Sequence, residues 1–146
     1  EQHRVALQEQ IIAAQRSALR ELSTPLLPLA PGILAMPLIG TLDRERANEV
    51  METLLAGITA QRAHTALLDV TGVRTLDAHA ADALVQVARA ANLLGARVIL
   101  TGIGPDIAQT LVQLDRGQLQ GITARGTLQA GIAEALARAA DRGRPT

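Results

Sequence analysis

The sequence predicts an α/β fold in which helices lie on a mixed or parallel sheet. Three observations carry this expectation. Short aliphatic runs alternate with longer amphipathic stretches along the chain. Of the 146 residues, 48% are hydrophobic but none is Phe, Tyr or Trp, so Leu, Ile, Val and Ala must fill the core with Met36 and Met51. Small aliphatic faces of this kind pack closely where a helix meets a sheet. Gly and Pro stand between the runs, where breaks between elements belong.

Residues 1–22 pattern as a helix. Val5, Ile12 and Leu19 recur every seven residues, and Leu7, Ile11, Ala14 and Ala18 widen the apolar face. Gln8 and Gln15 interrupt a strict coiled-coil seam. Such a helix is either a dimerising connector to an upstream domain or an ordinary helix on its own domain. The first reading is favoured, because the segment precedes the compact domain and has few core residues to meet there. The missing initiator Met adds to the expectation of an upstream domain.

Pro25, Pro28 and Pro31-Gly32 end that helix. Residues 26–29 and 33–39 read as extended pieces that pair as a hairpin around residues 30–32. Asp43 is placed to cap a helix over residues 44–61, with an apolar stripe of Ala47, Val50, Met51, Leu54, Leu55 and Ile58. Residues 65–70 make a buried strand, and Thr71-Gly72 begins a loop that ends near Leu76. Asp77 caps the next helix, residues 78–94, and Gly95 ends it. Residues 97–101 are a further strand. The turn at residues 102–105 leads to a short helix over residues 106–114, and residues 121–124 form a last short strand. A final helix starts near Thr127, with Leu128, Ile132, Ala135, Leu136 and Ala139 on one face. The domain division is therefore 1–22 connecting helix, 23–140 compact domain and 141–146 polar, disordered tail.

Composition excludes several chemistries. Without Cys there are no disulfides, thiolate metal sites or thiol nucleophiles. All 14 basic residues are Arg, so neither a Schiff-base Lys nor a phosphate-loop Lys is present. Net charge is zero, the Arg residues are scattered and no aromatic ring is available to stack a base, which argues against nucleic acid as a partner. No apolar run reaches the roughly 20 residues that span a bilayer, and the N-terminus lacks a signal peptide's apolar region. No membrane association is expected, and the cytoplasm is the expected location.

His3, His64 and His79 lack a metal-ligand spacing and are read as surface residues, so no metal or cofactor is expected. Asp43, Asp77 and Asp106 are explained as helix caps or first-turn residues, which leaves no acid–base pair. Asp69, at the end of a buried strand, is the exception and is placed to accept hydrogen bonds from loop amides near Gly72. Residues 102–105 resemble a phosphate-cradling turn only weakly, because Pro105 removes one N–H donor. Ser17 and Ser23 are the only serines, and no nucleophile elbow surrounds them.

Four segments carry a resemblance. Residues 69–78, D-V-T-G-V-R-T-L-D-A, look like the signature of STAS domains, the fold of anti-sigma-factor antagonists. S-T-P-L-L-P-L at residues 23–29, P-L-I-G-T-L-D-R-E-R-A at 37–47 and L-T-G-I-G-P-D-I-A-Q-T-L-V at 100–112 resemble the RsbR-type stressosome co-antagonists. The resemblance implies a STAS-type sheet of about four to five strands preceded by a linker helix. It also implies a dimeric, non-catalytic scaffold that joins a small STAS paralogue and holds a serine/threonine switch kinase. The surface it implies for those partners comprises Asp43, Arg46, Thr71, Arg74, Thr75, Asp77, His79, Gly104 and Asp106. In this family phosphate is taken after the Leu-Asp pair and after the G-T-L-D run. Here those positions are Ala78 and Arg44, neither of which carries a hydroxyl. Gly104 also replaces an Arg common in that turn. The expected subunit is therefore insensitive to phosphorylation at both places. A free-standing antagonist and a nucleotide-binding domain using residues 102–104 are the alternatives.

Overall fold

A computed structural model describes residues 25–113 and 122–142. Its elements are β1 (Leu27–Ala30), β2 (Ile33–Leu42), α1 (Arg44–Gln61), β3 (Thr65–Leu76), α2 (Ala78–Leu93), β4 (Arg97–Thr101), α3 (Pro105–Val112), β5 (Thr123–Arg125) and α4 (Leu128–Arg142). The expected helix over residues 1–22 lies outside the described residues. The strands form one five-stranded sheet in the order β1-β2-β3-β4-β5. β1 and β2 are the expected antiparallel hairpin, and the other three pairings are parallel.

Each parallel strand lies beside its predecessor, so crossovers of one hand bring α1, α2 and α3 to the same face. That face buries Leu34, Met36 and Leu38 of β2, Ala66, Leu68 and Val70 of β3, and Val98 and Leu100 of β4. Against them pack Val50, Leu54 and Ile58 of α1, Leu84, Ala88 and Ala91 of α2, and Ile107 of α3. The alternate strand residues Ile33, Ala35, Leu67 and Ile99 point the other way, onto Ala135 of α4. Two covered faces explain why the inner strands read as unbroken apolar runs. At Gly131 a Cβ would collide with Thr101 Cγ2 and approach Leu67 Cδ2 to 3.1 Å, so the missing side chain lets α4 lie directly on the sheet.

The caps act as the sequence implies. Asp43 Oδ1 accepts from the Arg46 N–H at 2.8 Å, and Asp77 Oδ1 accepts from the Ala80 N–H at 2.7 Å. Helix α2 closes with the Ala96 N–H on the Ala91 carbonyl at 2.9 Å and Gly95 at φ +86°.

Two boundaries differ from expectation. The loop anticipated over residues 71–76 is a continuation of β3, paired with the end of β2 through Thr41↔Thr75 and Leu42↔Leu76. The pairing shifts register between Pro37 and Ile39 and again between Gly40 and Thr41. Those bulges break the period-two pattern by which a strand is read. Asp141 and Arg142, expected in the polar tail, instead form the last turn of α4.

Candidate interaction site

The pairing of β2 with β3 determines where the helix starts fall. Leu42 and Leu76 are Cα partners, and both strands then turn directly into a capped helix. The beginnings of α1 and α2 therefore stand side by side at the C-terminal edge of the sheet. Asp43, Arg44, Glu45, Asp77 and His79 line one shallow cleft there, of about 330 Å³. The two positions where the family resemblance places phosphate, now Arg44 and Ala78, thus flank a common surface. Both are exposed, as are Asp43, Asp77 and His79.

A second cleft of about 470 Å³ lies along the same edge, over β3 and the start of α3. Thr71, Arg74, Gly104 and Asp106 contribute to its lining. Its base is organised by Asp69. The Asp69 carboxylate accepts from the Thr71 and Thr101 hydroxyls, each at 2.9 Å to Oδ1. These hydroxyls take the role expected of the loop amides near Gly72. The reason is that β3 continues through Thr71, so backbone that was expected to fold back as a loop remains in the ladder. Thr101 is fully buried, and its bond ties β4 to β3 where the chain leaves the sheet. Gly102 follows at φ +74°, and a Cβ there would strike Thr71 Oγ1 and stand 2.7 Å from Asp69 Oδ1. Only glycine accommodates that turn. Gly104, at φ −88°, needs no such freedom; it precedes Pro105 and caps α3 without a side chain.

The remaining candidates fall outside the two clefts. Thr75 is an exposed strand residue opposite Thr41. Arg46 is half-buried in the first turn of α1, with its Nη1 approaching Gly40.

One feature escaped sequence reasoning. At the opposite, N-terminal edge of the sheet lies a cavity of about 660 Å³ lined in part by His64, Arg97, Arg138 and Arg142. His64 is half-buried rather than a surface residue, with Nδ1 2.8 Å from Thr65 Oγ1 and its ring against Gly32. Desolvation, and secondarily the Arg142 charge, hold its pKa below the ordinary 6.5. No spacing in the sequence announces this cluster, because its members come from β3's leading edge, β4 and α4. Among the described residues there is no group of three or more His, Asp and Glu arranged to hold a metal, and no helix long and apolar enough to cross a membrane.

Comparison with known proteins agrees with the geometry. The family model of the STAS domain matches residues 24–135. The RsbT co-antagonist protein RsbRA of Bacillus subtilis is 45% identical over 128 residues, covering 88% of this chain and 46% of that protein. RsbRB of the same organism is 39% identical over 73% of this chain and 38% of its own length. The chain thus spans less than half of the length of each of these two relatives. Among solved structures, a variant of Moorella thermoacetica RsbS superposes with a TM-score of 0.66 at 29% identity, over 80% of this chain and 97% of that one. A chain from the molecular architecture of the stressosome, a signal integration and transduction hub, gives a TM-score of 0.61 at 26% identity over 79% of this chain and 98% of that one.

Proposed function

The chain belongs to the STAS domain family, and from that premise we propose that it is a non-catalytic scaffold module of a bacterial stress-signalling assembly of the stressosome type. It joins a small STAS paralogue and holds a serine/threonine switch kinase, in the cytoplasm and as part of a dimeric protein. Its STAS domain begins at residue 23 and runs to the end of α4, and residues 1–22 are the segment that connects it within that protein. The observation that carries the proposal is the cleft between the starts of α1 and α2, combined with 45% identity to an RsbT co-antagonist. A modifiable residue at either helix start would change charge on a surface shared by both, and a docked partner would sense it. In this chain Arg44 and Ala78 hold the surface in one state, so the subunit binds without being reset there.

The absence of catalysis is supported by the use of the candidate carboxylates. Asp43 and Asp77 cap helices, and Asp69 ties two strands together. The alternative of a free-standing antagonist has weaker support, since the stronger identities are to co-antagonists. The test is co-purification of this chain with the small paralogue and the kinase, read by particle size. Entry into a large particle is the expected result. Failure to join any particle would remove the scaffold reading.

A further inference from the structure

The cavity at the N-terminal edge of the sheet belongs to neither cleft of the proposed partner surface. Parallel pairing of Thr65 with Arg97 sets the start of β3 beside the start of β4, and the Arg97 N–H bonds to the His64 carbonyl at 2.9 Å. The last turns of α4 then bring Arg138 and Arg142 over the same opening. The Arg97 guanidinium is positioned by a neutral group, donating through Nε and Nη2 to Thr123 Oγ1 at 3.0 and 2.8 Å. Its charge is therefore not cancelled by that contact. Arg138 is partly neutralised by Glu134, at 3.2 Å. Among the described residues Asp141 is the one acid in the lining, set against three guanidinium groups.

Helix C-termini usually point partial negative charge at this edge of a parallel sheet. A cluster of cations there offsets that field and leaves a net attraction for anions. A half-buried guanidinium fixed by a neutral hydroxyl, as Arg97 is, suits an oxyanion, because it offers two parallel donors to phosphate or carboxylate oxygens. A nucleobase would find no aromatic ring to stack on, since the chain has none. We propose that this cavity binds a compact polyanion through Arg97, Arg138 and Arg142, with His64 at its wall. The shared chemistry is two or more anionic oxygen groups, borne by either a phosphoryl compound or a polycarboxylate. This site stands independently of the scaffold reading, because it lies at the other end of the strands.

Calorimetric titration of the whole chain with pyrophosphate, and separately with citrate, at low salt tests the proposal. Saturable binding of at least one is expected, and the stronger of the two identifies the source. Arg97→Gln and Arg142→Gln should each weaken binding by roughly ten-fold, the scale of one lost charge-assisted bond. Arg142 is exposed at a helix end, so its variant remains informative even where Arg97→Gln unfolds the domain. Arg44→Gln, at the far edge, should leave binding unchanged. An anion seated among Arg97, Arg138, Asp141 and Arg142 should also raise the His64 pKa, read from its ring resonances. Absence of saturable binding by either probe, or binding indifferent to both cavity variants, would overturn the proposal.

Discussion

Gly95 and Gly102 offer a matched pair of substitutions. Both have positive φ, +86° and +74°, so alanine at either position is forced into a left-handed conformation. That strain costs about 1–2 kcal/mol, offset by about 0.4–1 kcal/mol from a less flexible unfolded chain. The surroundings differ. Nothing lies within 4 Å of a Cβ at Gly95, whereas one at Gly102 meets Thr71 Oγ1, Asp69 Oδ1 and the Thr71 backbone N. Accommodating it requires the Thr71 hydroxyl to release the Asp69 carboxylate, and a hydrogen bond to a charged group is worth about 1.5–3 kcal/mol. Gly95→Ala should therefore cost about 1 kcal/mol and Gly102→Ala about 3 kcal/mol. At roughly 3–5 °C per kcal/mol for a chain of this size, thermal unfolding should show losses of about 4 °C and 12 °C. Urea titration should give the same order. Equal losses would mean that the Asp69 cluster does not constrain the turn, and the account of the second cleft would fail with it.

Three further outcomes follow from single contacts. Ala78→Ser restores a hydroxyl at the start of α2, so incubation with the cognate kinase and ATP should add phosphate to the variant and none at that position in the parent chain, as read by intact mass. Asp77→Ala removes the acceptor for the Ala80 N–H and should cost about 1 kcal/mol in urea unfolding. His64 has a folded pKa below 6.5, so its neutral form is favoured in the folded chain. Its contribution to stability is present above the unfolded pKa and is lost as pH falls through the folded one, because the unfolded state takes the proton first. The His64→Gln variant should flatten this acid-side loss in denaturant titrations run between neutral and acidic pH.

The parts of the fold legible in the sequence were those written in local chemistry. The aliphatic runs, the Asp caps, Gly95 and the Pro-Gly turn each specify their element without reference to distant residues. The extension of β2 and β3 was not legible, because bulges at residues 37–41 broke its alternation and its residues are largely exposed. Thr71-Gly72 carried a turn signal that the ladder with β2 overrode. The site divided along the same line. Positions 44 and 78 were nameable from motif spacing, but their adjacency depends on the pairing of Leu42 with Leu76. The Arg cavity depended wholly on tertiary placement, since residues 64, 97, 138 and 142 share no period.

Arg44 separates folding from binding. It occupies the first position of α1, where the helix dipole presents partial positive charge and a cation is unfavourable by about 0.3–1 kcal/mol. Asp43, Asp77 and Glu45 around the same cleft are all acidic and soften this cost, and among the described residues Arg44 is the one Arg in the lining. Arg44→Glu removes that dipole cost but sets a fourth carboxylate beside Asp43, Glu45 and Asp77. The two exposed-charge effects are of opposite sign and each at most about 1 kcal/mol, so the stability of the isolated chain should change little. The same substitution places negative charge on the surface proposed to dock the paralogue and the kinase, and should reduce entry into the large particle. Lost recruitment with unchanged stability is the expected result. If recruitment is unchanged or rises, the fixed positive charge is not part of the partner surface, and the docking contacts must lie at the second cleft instead.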